Sequence, residues 1–397
     1  MELQPKAYCF GCGACGAICT RGAISFSADE EGFLYPFIDP VRCVSCGLCQ
    51  KVCPVGKEHP LAEHYPAAYA AKHRDGTVLC RSSSGGMFTA LSDLWALSAG
   101  GAVYGAAFDQ DFSVCHLRAQ DAASRSAMQG SKYPQSRLDP ALYRAVEQDL
   151  RDLKKVLFSG TPCQVAAMRS YLGCRKVPVE NCLFVDLVCH GAASPAVWKA
   201  MLQSVSEKYG PLKEVSFRAK DEGVSVHLLK LVTASGDITE RAKKEYAFYN
   251  IYSSLCMMRP SCYSCPYSSL KRQGDFTIGD YADLKRQHPD FFCEEGVSSL
   301  LVNTEKGEKQ VAGLQQEAQL LSVPLAEVMQ QNLEMPTKCP AQREKFWSCF
   351  EREKWAGLQR SYGRLSITRK MIFHIIVPLC RKLGIYNLAV KIYMKKS

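Results

Sequence analysis

No apolar run among the 397 residues approaches the ~20 needed to span a bilayer. The amino end, Met1-Glu2-Leu3-Gln4-Pro5, has neither the basic start nor the apolar stretch of a secretory leader, so a cytoplasmic location is expected. An excess of charge is also missing from most of the chain. The first 339 residues hold 36 basic and 36 acidic side chains. A nucleic-acid-binding protein spreads basic residues over its folded core, and no nucleic-acid partner is expected here. The whole net charge of +10 comes from residues 340–397, with 13 Lys and Arg against 3 Asp and Glu. The length suits two or three domains, each with its own core.

Cysteine is not scarce. There are 21, and without an export signal that number argues for cofactor ligation in a reducing compartment rather than for disulfides. Cys9, Cys12, Cys15 and Cys19 form one C-x2-C-x2-C-x3-C run, and Cys43, Cys46, Cys49 and Cys53, followed by Pro54, form a second. In the bacterial ferredoxin pattern the fourth cysteine of each run ligates the other run's cluster. Three closely spaced thiolates wrap one face of a cubane, and the fourth must arrive from elsewhere. Cys9, Cys12, Cys15 and Cys53 are therefore expected to hold one 4Fe-4S cluster, and Cys43, Cys46, Cys49 and Cys19 the other. Zinc sites instead use ligand pairs separated by long gaps. The first run ends in Cys19-Thr20 rather than Cys-Pro, which leaves the ligands in place.

Beyond a polar connector containing Pro60 and Pro66, Ala67 to Ala71 reads as a strand. Ser82-Ser83-Ser84-Gly85-Gly86 then opens a helical pattern of Met87, Phe88, Leu91, Leu94, Trp95 and Leu97, stopped by Gly100-Gly101. Ala102 to Phe108 is the next strand. Such a turn offers N–H groups and hydroxyls to a phosphate, or simply caps the helix. Gln129-Gly130-Ser131-Lys132-Tyr133 sets a cation and hydroxyls beside a glycine. Neither loop carries the G-x-G-x-x-G fingerprint. Val156-Leu157-Phe158 is a buried-strand run leading into Ser159-Gly160-Thr161-Pro162-Cys163-Gln164, and Leu183 to Val188 is another, ending at Cys189-His190-Gly191. Loops at the carboxyl ends of strands are where open α/β sheets bind ligands. Cys262 and Cys265 form a C-x2-C pair that needs two more ligands to hold a metal. Cys163 and Cys189, both at strand ends, are the natural partners for a third 4Fe-4S cluster, with Cys256 in reserve. The alternative is a redox dithiol or buried thiols. Cys80, Cys115, Cys174, Cys182, Cys293, Cys339, Cys349 and Cys380 read as small core or surface residues.

These stretches, in this order and with Gly274-Asp275 and Val302-Asn303-Thr304-Glu305-Lys306-Gly307, resemble the coenzyme F420 hydrogenase/dehydrogenase beta-subunit family over residues 5 to 310. The resemblance implies an FAD-binding α/β domain with a 4Fe-4S cluster close to the flavin. Its members include deazaflavin-reducing hydrogenase subunits and the plastid reductase of hydroxymethyl chlorophyll. By motif, Ser83, Ser84, Gly85, Gly86, Ser131, Lys132, Tyr133, Gly160 and Thr161 are the implied flavin contacts. Cys163, Cys189, Cys262 and Cys265 are the implied flavin-proximal cluster. The F420 substrate does not carry over with the motifs.

The expected architecture is α+β: a two-cluster ferredoxin-like domain (1–58), a larger α/β flavin-binding domain (65–338), and a basic helical extension (339–397). The expected activity is an oxidoreductase that takes single electrons from a ferredoxin-like donor through 4Fe-4S clusters to FAD and on to an organic acceptor. Lys132 is the candidate stabiliser of an anionic flavin or phosphate. His190 is a candidate proton donor or else a structural hydrogen-bonding histidine. Two other classes share the features: an electron-transfer subunit feeding a separate catalytic partner, and an iron–sulfur sensor without flavin. Residues 366–397 interleave basic and apolar side chains. They read either as a helix packed on the body or as an amphipathic helix on an anionic membrane surface, where it would meet a lipid-linked substrate. Met371 to Cys380 is too short, and too broken by Pro378, to span a bilayer.

Overall fold

The computed structural model describes residues 2–57, 67–221, 228–241 and 247–364, together with residue 379. The connector at 58–66 and, apart from residue 379, the basic stretch at 366–397 lie outside the described residues, so the expectation of membrane contact does too.

The amino-terminal module is built from two short helices, Ala14–Ile18 and Leu48–Val52, and the antiparallel hairpin β1 (Ile24–Ala28) and β2 (Leu34–Ile38). Its apolar residues are too few for a core of their own. Ala14, Ala17, Ile18 and Val52 are instead buried with Leu142, Tyr143, Met168 and Tyr171 of the body. Ser194 Oγ donates to Glu31 O at 2.6 Å, which ties the β1–β2 turn to the helix Pro195–Tyr209. Arg343 pairs with the Glu31 carboxylate at the same place.

The body is organised on a mixed sheet in the order β13-β3-β12-β11-β7-β6-β4-β5. The strands are β3 (Ala67–His73), β4 (Ala102–Phe108), β5 (Val114–Ala119), β6 (Val156–Gly160), β7 (Cys182–Leu187), β11 (Phe276–Asp280), β12 (Ser298–Val302) and β13 (Ala318–Val323). β4, β6, β7 and β11 pair in parallel, and antiparallel strands flank them on both sides. The central strands are buried along their length, as expected for a sheet covered on both faces. The strand read at Ala102–Phe108 has those bounds, and the helix opened by Gly86 runs Met87–Trp95.

A second sheet of β8 (Leu212–Ala219), β9 (Leu228–Thr233) and β10 (Gly236–Arg241) packs an aromatic core. Trp198, Phe217 and Phe248 have ring centroids 5.0 and 5.3 Å apart along the series. The helix Arg343–Tyr362, part of the expected extension, closes this core with Phe346, Phe350, Trp355 and Leu358. Phe346 is fully buried. Replacing Phe346 with Ala is expected to cost ~3–5 kcal/mol, as for other large-to-small core changes. The urea midpoint checks this, and a loss below about 1 kcal/mol would place the helix outside the core.

Candidate functional site

The eight ferredoxin-run cysteines gather into two groups. Cys12 is raised well above the usual thiol range by desolvation and by Cys15, Cys9 and Cys53. Cys15 is pushed to about 12 by desolvation and by Cys9 and Cys53. Those influences link the members of the first expected ligand set, and Cys15 and Cys53 also feel Cys49 of the second. Cys19, Cys43, Cys46 and Cys49 line a separate small pocket of ≈ 30 Å³. In this second group Cys46 is exposed and Cys49 buried. The backbone between the thiols is held from the body: Tyr143 OH donates to Cys12 O at 2.7 Å, Gln135 Nε2 to Phe10 O at 2.8 Å, and Ser170 Oγ to Val52 O at 2.7 Å.

At the carboxyl ends of β4, β6, β7 and β11 lies a cavity of ≈ 340 Å³. That is within the size range of small-molecule sites, and at the sheet edge where such sites form. Cys163, Cys189, Cys262 and Cys265 are among the residues that line it. Cys163 follows β6 as the second residue of the helix Pro162–Cys174, whose Thr161/Gln164 capping box fixes the turn. Cys189 follows β7. Cys262 lies in the turn Pro260–Ser264, and its sulfur accepts from Ala192 N at 3.4 Å. Desolvation pushes Cys163, Cys189 and Cys262 to about 12, with neighbouring thiols of the same set adding to each. Cys256, the reserve ligand, is buried elsewhere with its thiol directed to Ser254 O at 3.5 Å. Thiols crowded together in a dry wall ionise only around a positive centre, and this donor set fits an iron–sulfur cluster. Among the described residues, no three His, Cys, Asp or Glu side chains converge tightly enough to hold a single metal ion.

The cavity wall also carries Ser82, Ser83, Ser84, Gly86, Gly130, Ser131, Lys132, Gly160 and Thr161, together with Tyr133 and His190. Ser131 N donates to Ser83 Oγ at 2.7 Å, which joins the two loops expected at a flavin. Gly85 departs from the expectation. It is absent from this wall, its N–H donates to Ser298 Oγ at 2.9 Å, and a Cβ would fall 2.2 Å from Ala71 O. Gly85 is glycine because the sheet backbone passes against it. Lys132 departs in part. Its ammonium spends all three donors on Ala127, Gln129 and Gly130 carbonyls, at 3.0, 2.7 and 3.3 Å. Its side chain lines the cavity, and desolvation lowers it to about 7. It can offer a field but no spare hydrogen bond.

Several cavity residues stand in no motif. His116 is buried and driven down to about 4 by desolvation, so it is the neutral imidazole. Nδ1 accepts from the Ser136 hydroxyl at 2.6 Å and Nε2 donates to Ser159 O at 2.9 Å. Arg218, left-handed at φ 57°, pairs with Asp280, and its buried Nε has no partner among the described residues. Asn332, buried, lies beside His190.

Residues 153–327 match the family model for the carboxyl-terminal part of the coenzyme F420 hydrogenase/dehydrogenase beta subunit, and residues 8–57 match a 4Fe-4S dicluster domain. The chain thus joins a 4Fe-4S dicluster domain to the carboxyl-terminal domain of that beta-subunit family. The dicluster match covers both ferredoxin-type cysteine runs. An uncharacterized ferredoxin of Methanocaldococcus jannaschii is 37% identical over 52 residues, which is 13% of this chain and 66% of that protein. The chain thus spans just under two thirds of that relative's length. A chain of the F420-reducing nickel–iron hydrogenase complex from Methanosarcina barkeri superposes on 80% of this chain and 97% of its own. The TM-score is 0.44 at 19% identity, too distant to bear on this chain's site. Among the described residues no helix is long and apolar enough to cross a membrane.

Proposed function

We propose that this chain is a member of that beta-subunit family and an FAD-dependent reductase fed by three 4Fe-4S clusters. In this reading a ferredoxin-like donor docks near the exposed Cys46. Cys43, Cys46, Cys49 and Cys19 hold the entry cluster, Cys9, Cys12, Cys15 and Cys53 the next, and Cys163, Cys189, Cys262 and Cys265 the last. The observation that carries the reading is one cavity lined both by four desolvated thiols and by the Ser/Gly loops. FAD bound there would supply the exchange of single electrons for a hydride.

The residues present fit such a group. Ser83 and Thr161 offer hydroxyls, Gly86 opens the helix Met87–Trp95 in a left-handed turn (φ 77°), and the orphaned Nε of Arg218 seeks an acceptor. Lys132 holds the 127–130 loop and adds positive potential where phosphate or reduced isoalloxazine would carry negative charge. His190, between Cys189 and Asn332, is the proposed proton donor to a small organic or lipid-linked acceptor.

Acid release of cofactor from anaerobically purified protein, followed by chromatography, is expected to give one FAD per chain. Protein with its full iron content and no flavin would overturn the reductase reading in favour of a pure electron carrier.

A further inference from the structure

Arg259 is a buried cation that the reading above does not use. It is 1% exposed. Among the described residues its guanidinium donates to no carboxylate. Nε donates to Cys9 O at 2.7 Å, Nη1 to Gln135 Oε1 at 2.9 Å and Nη2 to Leu34 O at 3.0 Å. The Tyr35 ring centroid lies 4.3 Å from the guanidinium carbon. Its backbone faces the other way. The Arg259 N–H donates to Ala192 O at 3.0 Å, and its carbonyl accepts from Cys262 N at 2.9 Å. Gly11, left-handed at φ 63°, lies so close that a Cβ would fall 2.5 Å from Arg259 Nη1. The loop from Cys9 to Cys12 therefore rests directly on the guanidinium, while Cys163 and Cys262 also feel its charge.

A buried charge with only neutral acceptors is costly, and proteins keep one where an opposite charge compensates it. Here the compensation comes from both sides. Four thiolates carry more negative charge than the cubane core they bind carries positive, so each ligand set becomes an anion when loaded. We propose that Arg259 is the junction between the cluster of Cys9, Cys12, Cys15 and Cys53 and the cluster of Cys163, Cys189, Cys262 and Cys265. The proposal rests on the cluster assignment above. Cys9 and Cys262 are linked through this one residue, by its side chain and its carbonyl respectively. The step it serves moves one electron from the first set to the second, so one is oxidised and the other reduced. No bond is made and no proton moves. A fixed cation between the two stabilises the more negative, reduced form on either side and so raises both midpoint potentials. Arg259 is a positioning residue in this account.

The experiment compares full-length, anaerobically purified wild type with Arg259→Gln by iron analysis and by redox titration followed with electron paramagnetic resonance. In the variant at full iron content, the reduced-to-oxidised ratio of both interior clusters, read at the wild-type midpoint, is expected to fall tenfold or more. That is a shift of about 59 mV for a one-electron couple. The cluster of Cys43, Cys46, Cys49 and Cys19 should not move. Interior potentials equal to wild type in fully loaded variant would overturn the proposal. If the glutamine variant fails to hold iron, Arg259→Met, which also removes the charge and keeps a long side chain, reads the same quantity. The same tenfold fall is then expected, and an unchanged ratio overturns the proposal. Wild-type iron near eight atoms rather than about twelve would sink the three-cluster reading itself, whatever Arg259 does.

Discussion

Protein carrying Cys262→Ser is expected to lose about four iron atoms and to stop delivering electrons to the cavity, while both amino-terminal clusters persist. Serine keeps the size of the side chain but offers a hydroxyl in place of a thiolate. The site gives it no help in ionising, since desolvation already resists charge at Cys262 and Cys163. The remaining thiols Cys163, Cys189 and Cys265 cannot close a fourth corner, because Cys256 is buried away from the cavity. Iron analysis and stopped-flow reduction of bound flavin measure the two effects. Variant iron equal to wild type, with an unaltered flavin reduction rate, would falsify the third cluster.

Asp186→Ala should be the most damaging change outside the cysteines, at ~3–5 kcal/mol, the usual result of stranding one partner of a buried ion pair. Asp186 and Arg272 are both essentially inaccessible and lie 2.9 Å apart. Oδ1 accepts from Arg272 and from Thr277 Oγ1 at 2.6 Å, and Oδ2 accepts from the backbone N–H groups of Gln273 and Gly274 at 2.9 and 3.0 Å. Arg272 in turn donates to Leu187, Tyr267 and Ser269 carbonyls. This one pair therefore clamps the end of β7, from which Cys189 emerges, to the loop that follows Cys265. Asp186→Asn should fare little better, because an amide nitrogen at either position would face donors. Urea midpoints at matched iron loading give the cost, with an unchanged slope showing that stability alone moved. A loss under about 1 kcal/mol would mean that the clamp is redundant.

Legibility in the sequence followed the range of the interactions. The cysteine runs are local, so their spacing predicted which thiols meet. The two strand-end cysteines were also legible, because parallel neighbours β6 and β7 put consecutive loops side by side. Gly85 and Lys132 looked like ligand contacts because glycine and lysine in a loop are ambiguous. Only the tertiary partners Ala71, Ser298 and the 127–130 carbonyls decided their use. Gly274-Asp275, legible as a signature, turned out to lock strands: Gly274 N binds Asp186, and Asp275 Oδ2 accepts from Phe184 N at 2.9 Å. Arg218, Arg259 and His116 were silent, each a single residue in an ordinary stretch whose partners lie far along the chain.

The shared core beneath Ala14, Ala17, Ile18 and Val52 has a consequence for how this protein can be rebuilt. On paper the first 57 residues look like a cassette, detachable at a proline-bearing connector. In three dimensions their apolar residues have no other home, and their carbonyls are capped by Tyr143, Gln135, Ser170 and Arg259 of the body. A foreign ferredoxin grafted ahead of residue 67 would bring the right cofactors yet leave those donors and that apolar surface bare. The amino-terminal module is thus not interchangeable: it and the body must be redesigned as a matched pair.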